Sequence, residues 1–177
     1  MFESGDHVLY GTYGVCTVTG TTEKSIGGKS MRYYVLKPVY QQDATAYVPA
    51  DNPQVVARLH RLLSQNELYH LVDSMLEQPM TWSDNEMERK TQFQEILSSG
   101  DRAGMLRLIR MLYLRQEERR KNGKRLHLNE ERIFREAERM VCGEFAFVLN
   151  IDPEEVPAFL QQRLECGEED GPVLPAV

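Results

Sequence analysis

Cysteine is too scarce and too dispersed to organise this chain. Cys16, Cys142 and Cys166 are odd in number and form no C-x-x-C pair. That pattern suits neither a disulfide framework nor a zinc site, and reads as free thiols. No apolar run approaches the roughly 20 residues that span a bilayer. The opening Met1-Phe2-Glu3-Ser4-Gly5-Asp6 lacks the basic start and apolar stretch of a secretion signal. These absences predict a cytoplasmic protein with no membrane partner.

Catalytic signatures are missing too. There is no G-x-S-x-G elbow and no P-loop, and Gly11-x-x-Gly14 reads as a turn. His7, His60, His70 and His127 are scattered, none within ligand spacing of a cysteine or another histidine. Surface or packing roles are expected for all four. Glu117-Glu118 and Glu130-Glu131 read as solvated faces of charged helices. The sequence thus predicts no catalytic residue, no metal and no cofactor, and a protein that is not an enzyme.

Overall positive charge is absent as well. The net charge is −6, so bulk attraction to nucleic acid is excluded. The distribution is uneven, however. Nine basic residues (Arg102, Arg107, Arg110, Arg115, Arg119, Arg120, Lys121, Lys124, Arg125) face only Glu117 and Glu118 between positions 102 and 125. Such a local patch is what meets a phosphate backbone. The acids Glu165, Glu168, Glu169 and Asp170 collect in the last residues.

What is present falls into two periods. Asp6 to Tyr10, Gly14 to Thr22, Met31 to Tyr40 and Ala44 to Pro49 are short runs rich in Val, Thr and Tyr, separated by turn residues. Gly27-Gly28 supplies the positive φ of a tight hairpin. Four such strands predict a small SH3-like or Tudor-like barrel. From Asn52 the period becomes helical. Helices are expected over Ser64 to Gln78, from an Ser83 cap with a Glu86 capping box to about Ser98, from an Asp101 cap to Asn122-Gly123, from an Asn129 cap, and from Asp152-Pro153 to about Leu164. The fold class is therefore α+β: a β-barrel domain over residues 1–55, an all-α helical bundle domain over 56–164, and a flexible acidic tail over 165–177.

Trp82 is the sole tryptophan and lies just outside a helix. With Ser83 as N-cap it would sit at N′, opposite Met87 at N4, as a hydrophobic staple. The alternative is an apolar wedge offered to a nucleic-acid base step. The arginine-rich helix carries the same ambiguity. Arg107, Arg110 and Leu114 lie opposite its apolar stripe, facing either solvent or a partner, and the planar guanidinium fork suits phosphate.

The segments Gly5-Asp6-His7-Val8-Leu9-Tyr10, Gly14-Val15-Cys16, Tyr33-Tyr34-Val35-Leu36 and Tyr47-Val48-Pro49-Ala50-Asp51-Asn52 occur in that order, followed by Trp82 and Ser98-Ser99-Gly100-Asp101. Over roughly residues 1 to 160 the chain resembles the CarD/CdnL family of bacterial transcription regulators. Their N-terminal domain is shared with the transcription-repair coupling factor. The resemblance implies that the barrel binds the β subunit of RNA polymerase, by strand pairing through Tyr33, Tyr34, Tyr47, Val48 and Pro49. It implies that the helical domain meets promoter DNA at the upstream fork and stabilises the open complex, with Trp82 as the wedge. Arg89, Lys90, Arg107, Arg110, Lys121, Lys124 and Arg125 are the accompanying DNA-binding candidates. A monomer, associated with the nucleoid through polymerase, is expected. The other reading is a polymerase-bound interaction adaptor without direct DNA contact.

Two departures from the family pattern bear on this. Tyr47 stands where many members have an arginine, which makes the polymerase contact there apolar. Asp84, Glu86 and Glu88 follow the tryptophan where many members are basic. The acids shift the DNA contact towards Arg89, Lys90 and the Arg107 face.

Overall fold

A computed structural model describes residues 2–26, 29–41, 43–74 and 80–165. The chain divides into two compact units, Met1–Leu62 and Leu63–Val177.

The first unit holds strands β1 (His7–Tyr10), β2 (Val15–Ile26), β3 (Lys29–Pro38), β4 (Ala46–Pro49) and β5 (Leu59–Arg61), with a one-turn helix α1 (Pro53–Val56) between the last two. All ladders are antiparallel and the strand order is β4-β3-β2-β1-β5. No ladder joins β4 to β5 among the described residues. The described ladders therefore form an open sheet, without the expected barrel closure among them, and its edge strands are only four and three residues long. The alternation of side chains places Val8, Cys16, Val18, Tyr34, Leu36, Ala46 and Val48 in one core. An irregularity between Val18 and Gly20 adds a residue to β2. Gly20 takes it up at φ 142, a conformation that disfavours any side chain.

The four strands read from the sequence are present, but β2 and β3 extend towards each other to Ile26 and Lys29. The Gly27-Gly28 hairpin itself lies outside the described residues. The fifth strand moves the boundary. Leu59 pairs with Tyr10 and Arg61 with Val8, so the first unit runs to Leu62, past the expected 55.

The second unit contains α2 (Gln65–Ser74), α3 (Glu86–Ser99), α4 (Arg102–Lys121), α5 (Leu128–Leu149) and α6 (Val156–Glu165). Met105, Leu108, Ile109 and Leu112 of α4 join Ile133, Phe134, Ala137, Met140, Val141 and Phe145 of α5 in one buried cluster with Leu68, Val72, Phe93 and Leu97. The α4 members form the apolar stripe expected opposite Arg107, Arg110 and Leu114. Truncating any of the large members to alanine costs about 2–5 kcal/mol. Asp101 caps α4 as expected, its Oδ1 accepting from the Gly104 N–H at 2.9 Å. A Cβ at Gly104 would collide with that capping carboxylate.

Two other caps differ from expectation. The N-cap of α3 is Asn85, whose Oδ1 accepts from the N–H groups of Met87 and Glu88 at 3.0 and 3.3 Å. Ser83 instead accepts from the Asn85 N–H and donates to Glu88. α5 starts two residues early, at the His127 cap, because the Glu130 carboxylate accepts from the His127 N–H at 3.1 Å. Residues 166–177, including Cys166 and most of the acidic tail, lie outside the described residues, as does the expected end of the first long helix at Gln78.

Candidate functional site

In the first unit the expected partner-binding residues occupy the edge strand β4 and its neighbour. Their side chains divide by face. Tyr34 and Val48 belong to the core and Tyr33 is largely buried, so these three support the strand and do not offer a side-chain contact. Tyr47 points the other way, exposed, with the Lys24 ammonium 3.1 Å from its ring centroid. This cation–π pair leaves no local trace in the sequence, since the two residues lie two strands apart.

The backbone at this edge is also ordered by register. The Ala50 N–H donates to the Arg32 carbonyl at 2.8 Å, and Tyr34 pairs with Val48 and Val35 with Tyr47. Antiparallel ladders alternate between bonded and non-bonded pairs. The bonded pair at Arg32 and Ala50 thus makes Tyr47 a non-bonded residue of the ladder, with its N–H and C=O directed to the open edge. Pro49 follows at the same phase, where its missing N–H costs the sheet nothing.

In the second unit the site is built around Trp82. With Asn85 as the cap, Trp82 lies three residues before it, and the staple to Met87 is not formed. Met87 is 72% exposed. The indole instead meets Phe93 edge-on, ring centroids 6.3 Å apart. Two guanidiniums lie over it, that of Arg89 at 4.3 Å and that of Arg115 at 3.7 Å from the ring centroid. Arg89 also donates to the Ser83 carbonyl at 2.7 Å, which folds the segment after Trp82 back onto α3.

The ring is half-buried, not sealed in the core. It lines a groove of about 300 Å³ with Met80, Arg107, Arg110, Met111, Leu114, Arg115 and one acid, Glu118. The α4 residues here recur at helical spacing on one face. Leu114 is exposed, and Arg107 lies 4.0 Å from Asp101 at the far end of the groove. An aromatic ring, apolar side chains and three arginines against a single glutamate form a surface that accepts a flat or apolar group beside a negative charge.

The remaining basic candidates are not brought here. Lys124 and Arg125 border a separate groove with Tyr113, Gln116, Glu117 and Arg120, on a face of α4 turned about 150° from the Trp82 face. Lys121 and Lys90 are exposed and line neither. Arg89 is half-buried against the indole, so its charge acts at the ring. Arg115 and Glu130 were missed as site residues. Glu130, expected on a solvated face, is instead buried, and only the packing of α4 on α5 joins the two charges.

Among the described residues no group of three His, Cys, Asp or Glu side chains could hold a metal ion, and no helix is long and apolar enough to cross a membrane. Cys16 and Cys142 are free thiols.

Two family models match the chain. Residues 2–61 match the CarD-like/TRCF RID domain, and residues 68–161 match the CarD C-terminal domain. Comparison with curated proteins returns no match. The boundary between the two matched regions falls where the sheet ends and the helical unit begins. The chain belongs to the CarD-like family, and its two domains mark it as a transcription-related protein that interacts with RNA polymerase.

Proposed function

We propose that this protein stabilises the promoter open complex, anchored on the polymerase β subunit by its sheet unit and touching DNA at the upstream fork with Trp82. It does so as a binding protein without catalytic chemistry. The observation that carries the reading is the accessibility of the lone indole. It sits half-exposed in a groove also lined by Arg107 and Arg110, beside which a phosphate flanking an opened base step would lie.

The energetics are workable. A few cations on a protein of net charge −6 bind free DNA weakly and in a salt-sensitive manner. Tethering to polymerase raises the effective concentration to around millimolar, so modest contacts suffice. Unstacking a base step costs a few kcal/mol. At a fork that cost has already been met, so the indole binds the open state better than the closed one. A difference of about 1.4 kcal/mol shifts a minor open population tenfold.

On the sheet unit, the open edge of β4 favours strand addition, with the Tyr47 N–H and C=O as pairing groups and its ring as an apolar contact. A barrel-like closure of this small sheet is consistent with the family match but is not needed for edge pairing.

The test is Trp82→Ala. The variant should keep its hold on polymerase and shorten open-complex lifetime on responsive promoters. A photo-crosslinker at position 82 should label promoter DNA near the upstream edge of the bubble. An unchanged lifetime in the folded, polymerase-bound variant, with no DNA crosslink, would assign the protein to the adaptor class.

A further inference from the structure

Trp82 lies outside any helix or strand, in the segment leading to α3, yet its ring is held from two directions. One hold is local. Arg89 belongs to α3 and also bonds the Ser83 carbonyl, so it moves with the segment it stacks on. The other comes from a different helix. Arg115 is on α4, and its guanidinium carbon is 3.7 Å from the indole centroid, well inside cation–π range.

Arg115 is in turn placed by a buried charge on a third element. The Glu130 side chain, in the first turn of α5, is 6% exposed. Its Oε2 accepts from the His127 N–H, while its Oε1 faces the Arg115 Nε at 3.7 Å. Neither of those two facing atoms makes a hydrogen bond among the described residues. A buried carboxylate oxygen without a hydrogen-bond donor is costly, and the adjacent cation offsets that cost. The attraction therefore fixes the side chain of Arg115 through charge at Nε, while its planar end lies on the ring.

We infer that Arg115, held by Glu130, is the positioning residue for Trp82: it docks the indole segment onto α4 and sets the angle at which the ring is presented. The relay runs from α5 through α4 to the loop before α3. It also places positive charge at the ring, against Asp84, Glu86 and Glu88 nearby in sequence. The consequence for promoter opening rests on the function proposed above, but the positioning itself does not.

The sole tryptophan makes the test direct, because fluorescence excited at the red edge, beyond the absorption of the eight tyrosines, reports this ring alone. Glu130→Gln keeps an acceptor for the His127 N–H and removes the charge. Arg115→Met keeps a stem of similar length and removes the guanidinium. Both should raise the acrylamide quenching constant of Trp82 about two- to fivefold and lower its anisotropy, with far-UV helicity retained. Arg115→Lys, which keeps the cation, should fall between them and the parent. Unchanged quenching and anisotropy in Glu130→Gln would overturn the relay, even if Arg115→Met proves too unstable to measure.

Open-complex lifetime separates the two ideas. A loosened indole with a shortened lifetime supports both. A loosened indole with an unchanged lifetime supports the positioning role and sinks the open-complex reading.

Discussion

Arg102 and Glu144 form a two-pronged ion pair between the start of α4 and the interior of α5. Nε donates to Oε2 and a terminal nitrogen to Oε1, each at 2.9 Å. Glu144 is fully buried, and its Oε1 accepts a further bond from the Leu63 N–H at 3.0 Å. One carboxylate thus ties the helix that carries Arg107, Arg110 and Arg115 to α5 and to the non-regular segment leading into α2. Removing one partner of a buried pair leaves the other charge uncompensated. Glu144→Ala should lower the unfolding free energy by about 3–5 kcal/mol in denaturant titrations. Glu144→Gln, which keeps an acceptor for Leu63, should lose less. A loss below about 1 kcal/mol for the alanine variant would mean the pair contributes nothing net.

The splitting of the basic residues between two faces of α4 makes a second contrast measurable. Reversing Arg107 and Arg110 together to glutamate should weaken promoter engagement and flatten its salt dependence. Each lost phosphate contact removes about 0.9 from the slope of log K against log salt. Reversing Lys124 and Arg125, on the other groove, changes the net charge equally and should do much less. Equal losses from the two double variants would show that only bulk charge matters and that the Trp82 groove is not the contact.

The contrast between these residues also shows what the sequence made legible. The α4 stripe was readable because Met105, Leu108, Ile109 and Leu112 repeat at helical spacing behind an Asp101 cap with few competitors. The α3 cap was not, because Ser83, Asp84 and Asn85 all offer a capping oxygen, and only the direction of the chain leaving Trp82 decides among them. The same holds at α5, where the Glu130 reach-back selects His127 over Asn129. β5 was hidden for a different reason. Leu59-His60-Arg61 is too short for a period-2 pattern, and it becomes a strand because β1 offers it an edge. The groove was half legible. Trp82 and the arginines could be named singly, but the stacking of Arg115 on the ring depends on a tertiary contact that leaves no local trace.

Tyr47 yields a test of strand addition that does not depend on the core. Its side chain is exposed and its N–H is directed away from β3, so changes here leave the ladder intact. Tyr47→Ala removes the ring and should weaken retention of the polymerase β subunit modestly. Tyr47→Pro also removes the outward donor, which an edge strand tolerates, and should weaken it further. A proline variant that retains polymerase as well as the alanine variant would rule out pairing through that N–H. Val48→Ala, by contrast, should act through stability, because Val48 is fully buried.

The thiols give a prediction with a defined sign. Burial pushes Cys16 from the ordinary 9.0 up to about 12. Cys142 is raised to about 12 as well, by burial first and by the Glu138 carboxylate second. Only the thiolate reacts with alkylating reagents, so both residues should resist iodoacetamide at neutral pH in the folded protein and react after denaturation. Linkage fixes the pH course. A thiol whose proton is held more tightly in the folded state contributes stability that is fully present below pH 9. That contribution is lost as pH rises from about 9 towards 12, because the unfolded chain ionises first. A Cys16→Ala, Cys142→Ala double variant should therefore lose less stability than the parent over that alkaline interval, whatever its stability at pH 7. Parallel alkaline curves for the two proteins, measured by thermal unfolding, would show that these thiols ionise alike in the folded and unfolded chains.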